Sequence, residues 1–228
     1  MKLLIVLTSH DTLGENGVKT GFWIEEFAAP YYVFLDAGAT ITIASPNGGQ
    51  PPVDPKSELE AAQTKDTKRF YKDYTAIDLV AHTFKLKEIN QADYDGVFYP
   101  GGHGPLWDLA TDEDSINLIE DFNNYEKPMA FVCHAAAALI NAKTPDGTPV
   151  VKGKNLTSFS NAEEEALKLT KVVPFLLEDE LVKNGAIYSK GSDGASYVKQ
   201  DGVLITGQNA ASSAAVANLL VEAINSKK

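Results

Sequence analysis

Apolar positions along the chain alternate between unbroken runs and runs with a helical period. KLLIVLT (residues 2–8) is apolar almost throughout, the mark of a strand covered on both faces in a parallel sheet. From Gly21 to Asp36 the period becomes helical: Ile24, Phe27, Ala28, Tyr31 and Leu35 share a face, and Gly38 supplies a stop. The β-branched ATITIAS (39–45) predicts a second strand. YDGVFYPGG (94–102) predicts a third that ends in glycines, followed by a helix with an acidic start over TDEDSINLIEDFNNY. PMAFVC (128–133) is a fourth, and it runs straight into HAAAALINA, a segment of high helix propensity.

The alternation continues to the end of the chain. LTSFS (156–160) reads as a short strand, NAEEEALKLTK as a helix, and VVPFLLEDELVKNG as a broken helical passage stopping at Gly185. AIYSK and the GVLIT of YVKQDGVLIT read as strands, and Val216, Leu219, Leu220, Ala223 and Ile224 form the stripe of a final helix. Residues 46–92 interrupt the pattern: they are rich in Pro, Gly and Lys, with weak helical signals near 57–65 and 73–80, and are read as an irregular excursion and a candidate cap over the site. This order predicts an α/β chain, a flavodoxin-like three-layer sandwich whose mostly parallel sheet lies between helix layers, with a small antiparallel addition at 186–206. At 228 residues, 1–228 reads as a single domain.

Composition narrows the function. Apolar residues at 44% and charged residues at 22% exclude a disordered, collagen-like or fibrous chain. A net charge of −11 argues against nucleic acid and anionic lipid as partners. The single cysteine, Cys133, allows neither an intramolecular disulfide nor a Cys-rich zinc site, which suits a cytoplasmic protein. LLIVL is too short for a signal-peptide core, and MAFVCHAAAALI falls well below the roughly 20 residues that span a bilayer, so no membrane segment is expected.

Cys133 stands where a strand gives way to the alanine-rich segment. A thiol at that turn points out of the carboxyl edge of the sheet, where open α/β folds bind ligands, and feels the positive end of a helix dipole. That placement predicts a nucleophile with a pKa lowered to about 3.5 to 7.5; the alternative is an inert cysteine packed as a small hydrophobe. PGGHG, Pro100 to Gly104, lets a backbone approach a ligand closely and expose N–H groups, as an oxyanion hole needs, or simply ends a strand.

At about 100° per residue, Glu26 has Phe22, Pro30 and Val33 within about 40° of it, whereas Glu25 falls on the polar edge beside Asp36. A carboxyl among apolar neighbours has a raised pKa, a property of general acids and bases, although a structural hydrogen-bonded carboxyl would sit there too. His134 follows the cysteine and needs an acid partner to fix its tautomer, with Glu163, Glu164 and Glu165 as candidates. Asn161 with Glu164 also has the spacing of a helix capping box. His10, His82 and His103 have no ligand spacing, so no metal site is predicted.

GFWIEEFAAPY, YDGVFYPGGHGPLWD, AFVCHAAAAL, SFSNAEEEAL and DGVLITGQNAASS together resemble the ThiJ/PfpI superfamily, specifically the branch of class I glutamine-amidotransferase-like proteins that includes heat-shock chaperones and glyoxalase III. The likeness covers nearly the whole chain. It implies a triad of Cys133, His134 and Glu164, with Glu26 contacting the thiol and the backbone N–H groups of Gly102 and His134 forming the oxyanion hole. It implies a homodimer and a cofactor-free, D-lactate dehydratase type of lyase that converts a small 2-oxoaldehyde such as methylglyoxal to a 2-hydroxy acid. A stress-response holdase or oxidant sensor, and an amidase or peptidase, are the alternatives. Relatives usually carry CHGP where this chain has CHAA at Cys133 to Ala136, a departure that adds a methyl and removes a helix-start proline.

Overall fold

The unbroken apolar runs lie side by side. The structure, a computed structural model, describes residues 1–15 and 17–227. In chain order its elements are β1 (Lys2–Val6), β2 (Thr12–Leu13), β3 (Val18–Lys19), α1 (Ile24–Asp36), β4 (Thr40–Ser45), α2 (Lys65–Phe70), α3 (Tyr74–Ala81), β5 (Phe84–Lys85) and β6 (Gly96–Tyr99). There follow α4 (Glu113–Asn124), β7 (Met129–Val132), β8 (Asn155–Leu156), α5 (Asn161–Ala166), α6 (Leu177–Lys183), β9 (Ile187–Tyr188), β10 (Val198–Asp201), β11 (Leu204–Gly207) and α7 (Ser213–Asn225). A seven-stranded sheet runs β10-β11-β7-β6-β1-β4-β5, parallel throughout except for β10, which pairs antiparallel with β11.

Both faces of that sheet are buried, which is why its strands lack alternation in sequence. Leu4, Val6, Val97, Tyr99, Met129, Phe131 and Leu204 face one core, under α4 and α6. Leu3, Ile5, Phe98, Ala130, Val132 and Ile205 face the other, under α1 and α7. Three layers result, the flavodoxin-like α/β arrangement expected. In α7 the expected stripe is buried at Val216, Leu220 and Ile224 with Ala217 added, while Leu219 and Ala223 are half-buried.

Four local readings need correction. HAAAALINA does not form an α-helix: Cys133–Leu139 is a 3₁₀-helix with every residue buried. Side chains three apart eclipse in that geometry, and a row of alanine methyls tolerates it in a space too tight for larger groups. Of LTSFS only Leu156 is in a strand, and AIYSK contributes Ile187–Tyr188 to a separate parallel pair, β8 with β9. The antiparallel addition expected at 186–206 is β10 against β11; β10 is a half-exposed edge strand with too few apolar residues to register as a strand of its own. Residues 46–92 contain α2, α3 and β5, and they brace the start of α1 rather than forming a cap over the cavity described below. Pro52 O accepts from Phe22 N at 2.9 Å, Asp54 N donates to Phe22 O at 2.9 Å, and Ser57 Oγ accepts from Ile24 N at 3.1 Å.

Candidate active site

The carboxyl ends of β6 and β7 and the first turn of α1 converge on Cys133. The residue turns out of β7 with φ of +59°, a left-handed conformation that is rare outside glycine and that lifts the side chain away from the sheet edge. Facing it, Gly101 and Gly102 follow β6. A Cβ on Gly101 would lie 2.6 Å from Glu26 Oε2 and 2.9 Å from Cys133 Cβ; on Gly102, whose φ is +96°, it would lie 2.3 Å from Gly21 O. Only glycines allow this approach. It brings the N–H groups of Gly102 and His134 onto the Cys133 sulfur as donors. Both backbone groups named for an oxyanion hole therefore approach the Cys133 sulfur.

Glu26 is 1% exposed and accepts from Gly101 N at 2.8 Å. Its carboxyl is hydrogen-bonded to Cys133 as well, and burial raises its pKa to about 8 against the opposing pull of those two bonds. Glu25, half-buried, turns away to Thr64 Oγ1 at 2.5 Å. Helix phase separates the two as expected. The thiol does not follow the dipole expectation: burial, then the Glu26 charge, holds its pKa well above the ordinary value, although the N–H groups of His134 and Gly102 pull the other way. A short, fully buried 3₁₀ turn does not offset the desolvation of a thiolate.

His134 Nδ1 lies 3.3 Å from Cys133 Sγ and its Nε2 lies 2.6 Å from Glu164 Oε2. Burial, reinforced by His103, lowers the His134 pKa to about 4, against the pull of Glu164. Burial would raise the Glu164 carboxyl, but hydrogen bonds from His103 and His134 outweigh it and hold the pKa at about 2. The capping box is one residue earlier than its spacing suggested: Ser160 caps α5 and Glu163 reaches back to it. Glu163 also accepts from Gly194 N, Gln208 and Asn209, which leaves Glu164 free to face the histidines.

Sequence reasoning missed His103. Its Nε2 lies 3.0 Å from Glu164 Oε1, and its ring lies tilted by 37° against that of His134 with centroids 4.1 Å apart. The partner is distant in sequence, but His103 sits beside Gly102 in the loop already assigned to this edge, which was the available signal. His103, His134 and Glu164 also present three metal-capable donors within 4.8 Å, the one such group among the described residues; an ion there would have to replace the protons the histidines give to the carboxylate.

The thiol opens on a cavity of about 370 Å³ whose walls include Trp23, Phe159, Leu167 and Ala210, with Glu163 and Asp193 but no lysine or arginine. None of its lining comes from 46–92, nor from Ala135 or Ala136, so the CHAA departure packs into the core and leaves the cavity wall untouched. A larger hollow of about 660 Å³ lies beside Pro128 and Val203, at the amino ends of β7 and β11, and holds neither the cysteine nor a histidine. Among the described residues no helix is long and apolar enough to cross a membrane.

The chain resembles known proteins along its whole length. It is 28% identical to the glutathione-independent glyoxalase HSP31 of Saccharomyces cerevisiae, covering 98% of each chain. It is 27% identical to glyoxalase 3 of Candida albicans, again over 98% of each, and the crystal structure of that species' glyoxalase III superposes with a TM-score of 0.90, covering 98% of this chain and 97% of that one. The Rapid Encystment Protein 24 kDa of Francisella tularensis superposes with a TM-score of 0.93 at 37% identity over 98% of each chain. Residues 18–223 match the DJ-1/PfpI family, and the chain belongs to it.

Proposed function

We propose that this chain is a glutathione-independent glyoxalase, a lyase of the D-lactate dehydratase type that hydrates a small, neutral 2-oxoaldehyde such as methylglyoxal to the 2-hydroxy acid. The observation that carries the reading is the buried set of Glu26, Cys133 and His134 lining an open, largely apolar cavity, with buried Glu164 hydrogen-bonded to His134. Its chemistry needs no external oxidant, because the aldehyde carbon is oxidised while the ketone carbon is reduced.

Cys133 Sγ adds to the aldehyde carbon while His134 Nδ1, neutral at working pH, accepts the thiol proton. The new oxyanion lies against the N–H groups of Gly102 and His134, then takes up a proton to give a hemithioacetal. Glu26 and His134 move a proton from the former aldehyde carbon to the ketone carbon through an enediol, which yields a thioester. Water hydrolyses the thioester, releasing the 2-hydroxy acid and restoring the thiol. Throughout, ionised Glu164 offsets the positive charge on His134.

The test is purified protein with methylglyoxal, without thiol or added metal, followed for lactate. Lactate formation that Cys133→Ser abolishes, with the melting temperature within a few degrees, is the expected outcome. No lactate, or turnover retained in Cys133→Ser, overturns the reading; suppression of client aggregation without turnover would favour the holdase.

A further inference from the structure

We propose that His103 is a positioning residue: by sharing the Glu164 carboxylate with His134, it fixes which nitrogen of His134 is left bare toward Cys133. The inference rests on the glyoxalase reading only for its kinetic arm.

The geometry is a bridge. Glu164 offers Oε1 to His103 Nε2 at 3.0 Å and Oε2 to His134 Nε2 at 2.6 Å, and all three groups are buried. An ionised carboxylate only accepts, so both Nε2 atoms carry hydrogen. Neutral His134 then has no proton on Nδ1, the nitrogen 3.3 Å from the thiol. The opposite tautomer would point a lone pair at Glu164 and an N–H at the sulfur, and the base would be blocked.

Glu164 alone would favour the same tautomer, but His103 makes it unique. With His103 in place, each carboxylate oxygen has its own donor and the carboxyl plane is fixed. Without it, Oε1 loses its histidine donor in a buried site, and the carboxyl is free to rotate and to take up a proton. The groups facing His134 are Cys133 on its own turn, His103 from the loop after β6, and Glu163 and Glu164 from α5. Phe159, at 4.3 Å between centroids, adds no charge. Burial first, and His103 second, oppose protonation of His134.

Two variants of similar size separate positioning from bulk. His103→Gln keeps an N–H donor for Oε1, whereas His103→Leu has none. The expected result is a kcat lowered about 10- to 100-fold in His103→Leu, KM within about twofold, and most of kcat recovered in His103→Gln. The acid limb of the Leu variant's pH profile should move upward. Equal kcat in both variants and wild type, or equal damage in both with the ring-nitrogen spectrum of His134 unaltered, overturns the proposal. ¹⁵N spectra of the labelled wild-type protein at neutral pH decide it even where a variant does not fold: His103 and His134 should both carry hydrogen on Nε2, and a bare Nε2 on either one overturns it. Wild type that makes no lactate would sink the glyoxalase reading and leave this spectrum to judge His103.

Discussion

The carboxyl of Glu26 and the thiol of Cys133 are hydrogen-bonded to one another inside the protein, so the two groups titrate as a unit. An ionised Glu26 discourages the thiolate beside it, and burial discourages both charges. Alkylation by iodoacetamide should therefore be slow at pH 6, no faster than for an ordinary thiol, and should climb without a plateau below pH 8. Glu26→Gln should speed alkylation above pH 8 while lowering turnover. A plateau at pH 6 in wild type would show a preformed thiolate and remove His134 from the activation step.

Glu26 gives a second prediction, in stability. Its carboxyl ionises near 8 in the folded chain against 4.5 ordinarily, so its favourable contribution is fully present below about pH 4.5 and is lost as pH rises toward 8. Glu26→Gln should melt close to wild type at pH 4.5 and higher than wild type at pH 8 to 9, by an amount worth on the order of a few kcal/mol. Turnover should fall about 10²- to 10⁴-fold in the same variant, and Glu25→Gln should stay within about twofold. Thermal scans across pH, with lactate assays beside them, check both. The reverse order of damage would mean that the helix phase has been misassigned.

The acid side carries the opposite trend. His134 titrates near 4 in place of 6.5, and Glu164 near 2 in place of 4.5. Each contribution is present above the ordinary value and lost as pH falls through the folded one, so stability should decline from about pH 6.5 to 4 and again from about 4.5 to 2. Measured in Glu26→Gln, where the counter-trend is gone, melting temperature should fall throughout this range. A flat curve between pH 6.5 and 4 would refute a buried neutral His134.

The two glycines before His103 differ from their kin elsewhere. Gly102→Ala combines a positive φ with backbone at 2.3 Å, whereas a methyl on Gly49, with φ of +72°, would meet nothing within 4 Å. Gly49→Ala should cost only about 1 kcal/mol. Gly102→Ala should cost about 2 kcal/mol or more and take turnover with it, because the displaced N–H is one of the two that meet the sulfur. Denaturant melts of the pair measure the difference; equal costs would deny the close approach.

The first strand and the choice of Glu26 over Glu25 were legible because each depends on short-range periodicity: continuous burial in KLLIVLT, and the 100° step along α1. His103 and Glu164 were harder, since their contact is made through space between two sheet-edge elements. The alanine-rich turn misled for another reason. Propensity describes an exposed helix, and Cys133–Leu139 is wholly buried, where the room available selects the tighter winding. Ser160 and Asn161 are both good caps, so spacing alone could not choose between them. The cavity walls were illegible for the same reason as His103: Trp23, Phe159, Gly194 and Ala210 belong to four separate stretches of chain.

The first turns of α5 put three identical residues to unrelated uses. Glu163 is wired to five donors from Ser160, Gly194, Gln208 and Asn209; Glu164 faces the histidines; Glu165, exposed, accepts from Thr170. Mutational tolerance along this triplet should thus be a staircase: drift at Glu165 passes unnoticed, loss at Glu163 is read out as misfolding of the cavity rim, and loss at Glu164 strips two buried histidines of their shared acceptor and, on the proposed mechanism, stops turnover. Homologues compared letter by letter would score the three alike, so a lineage without the proposed chemistry should keep Glu163 and lose Glu164, whatever residue stands at position 165.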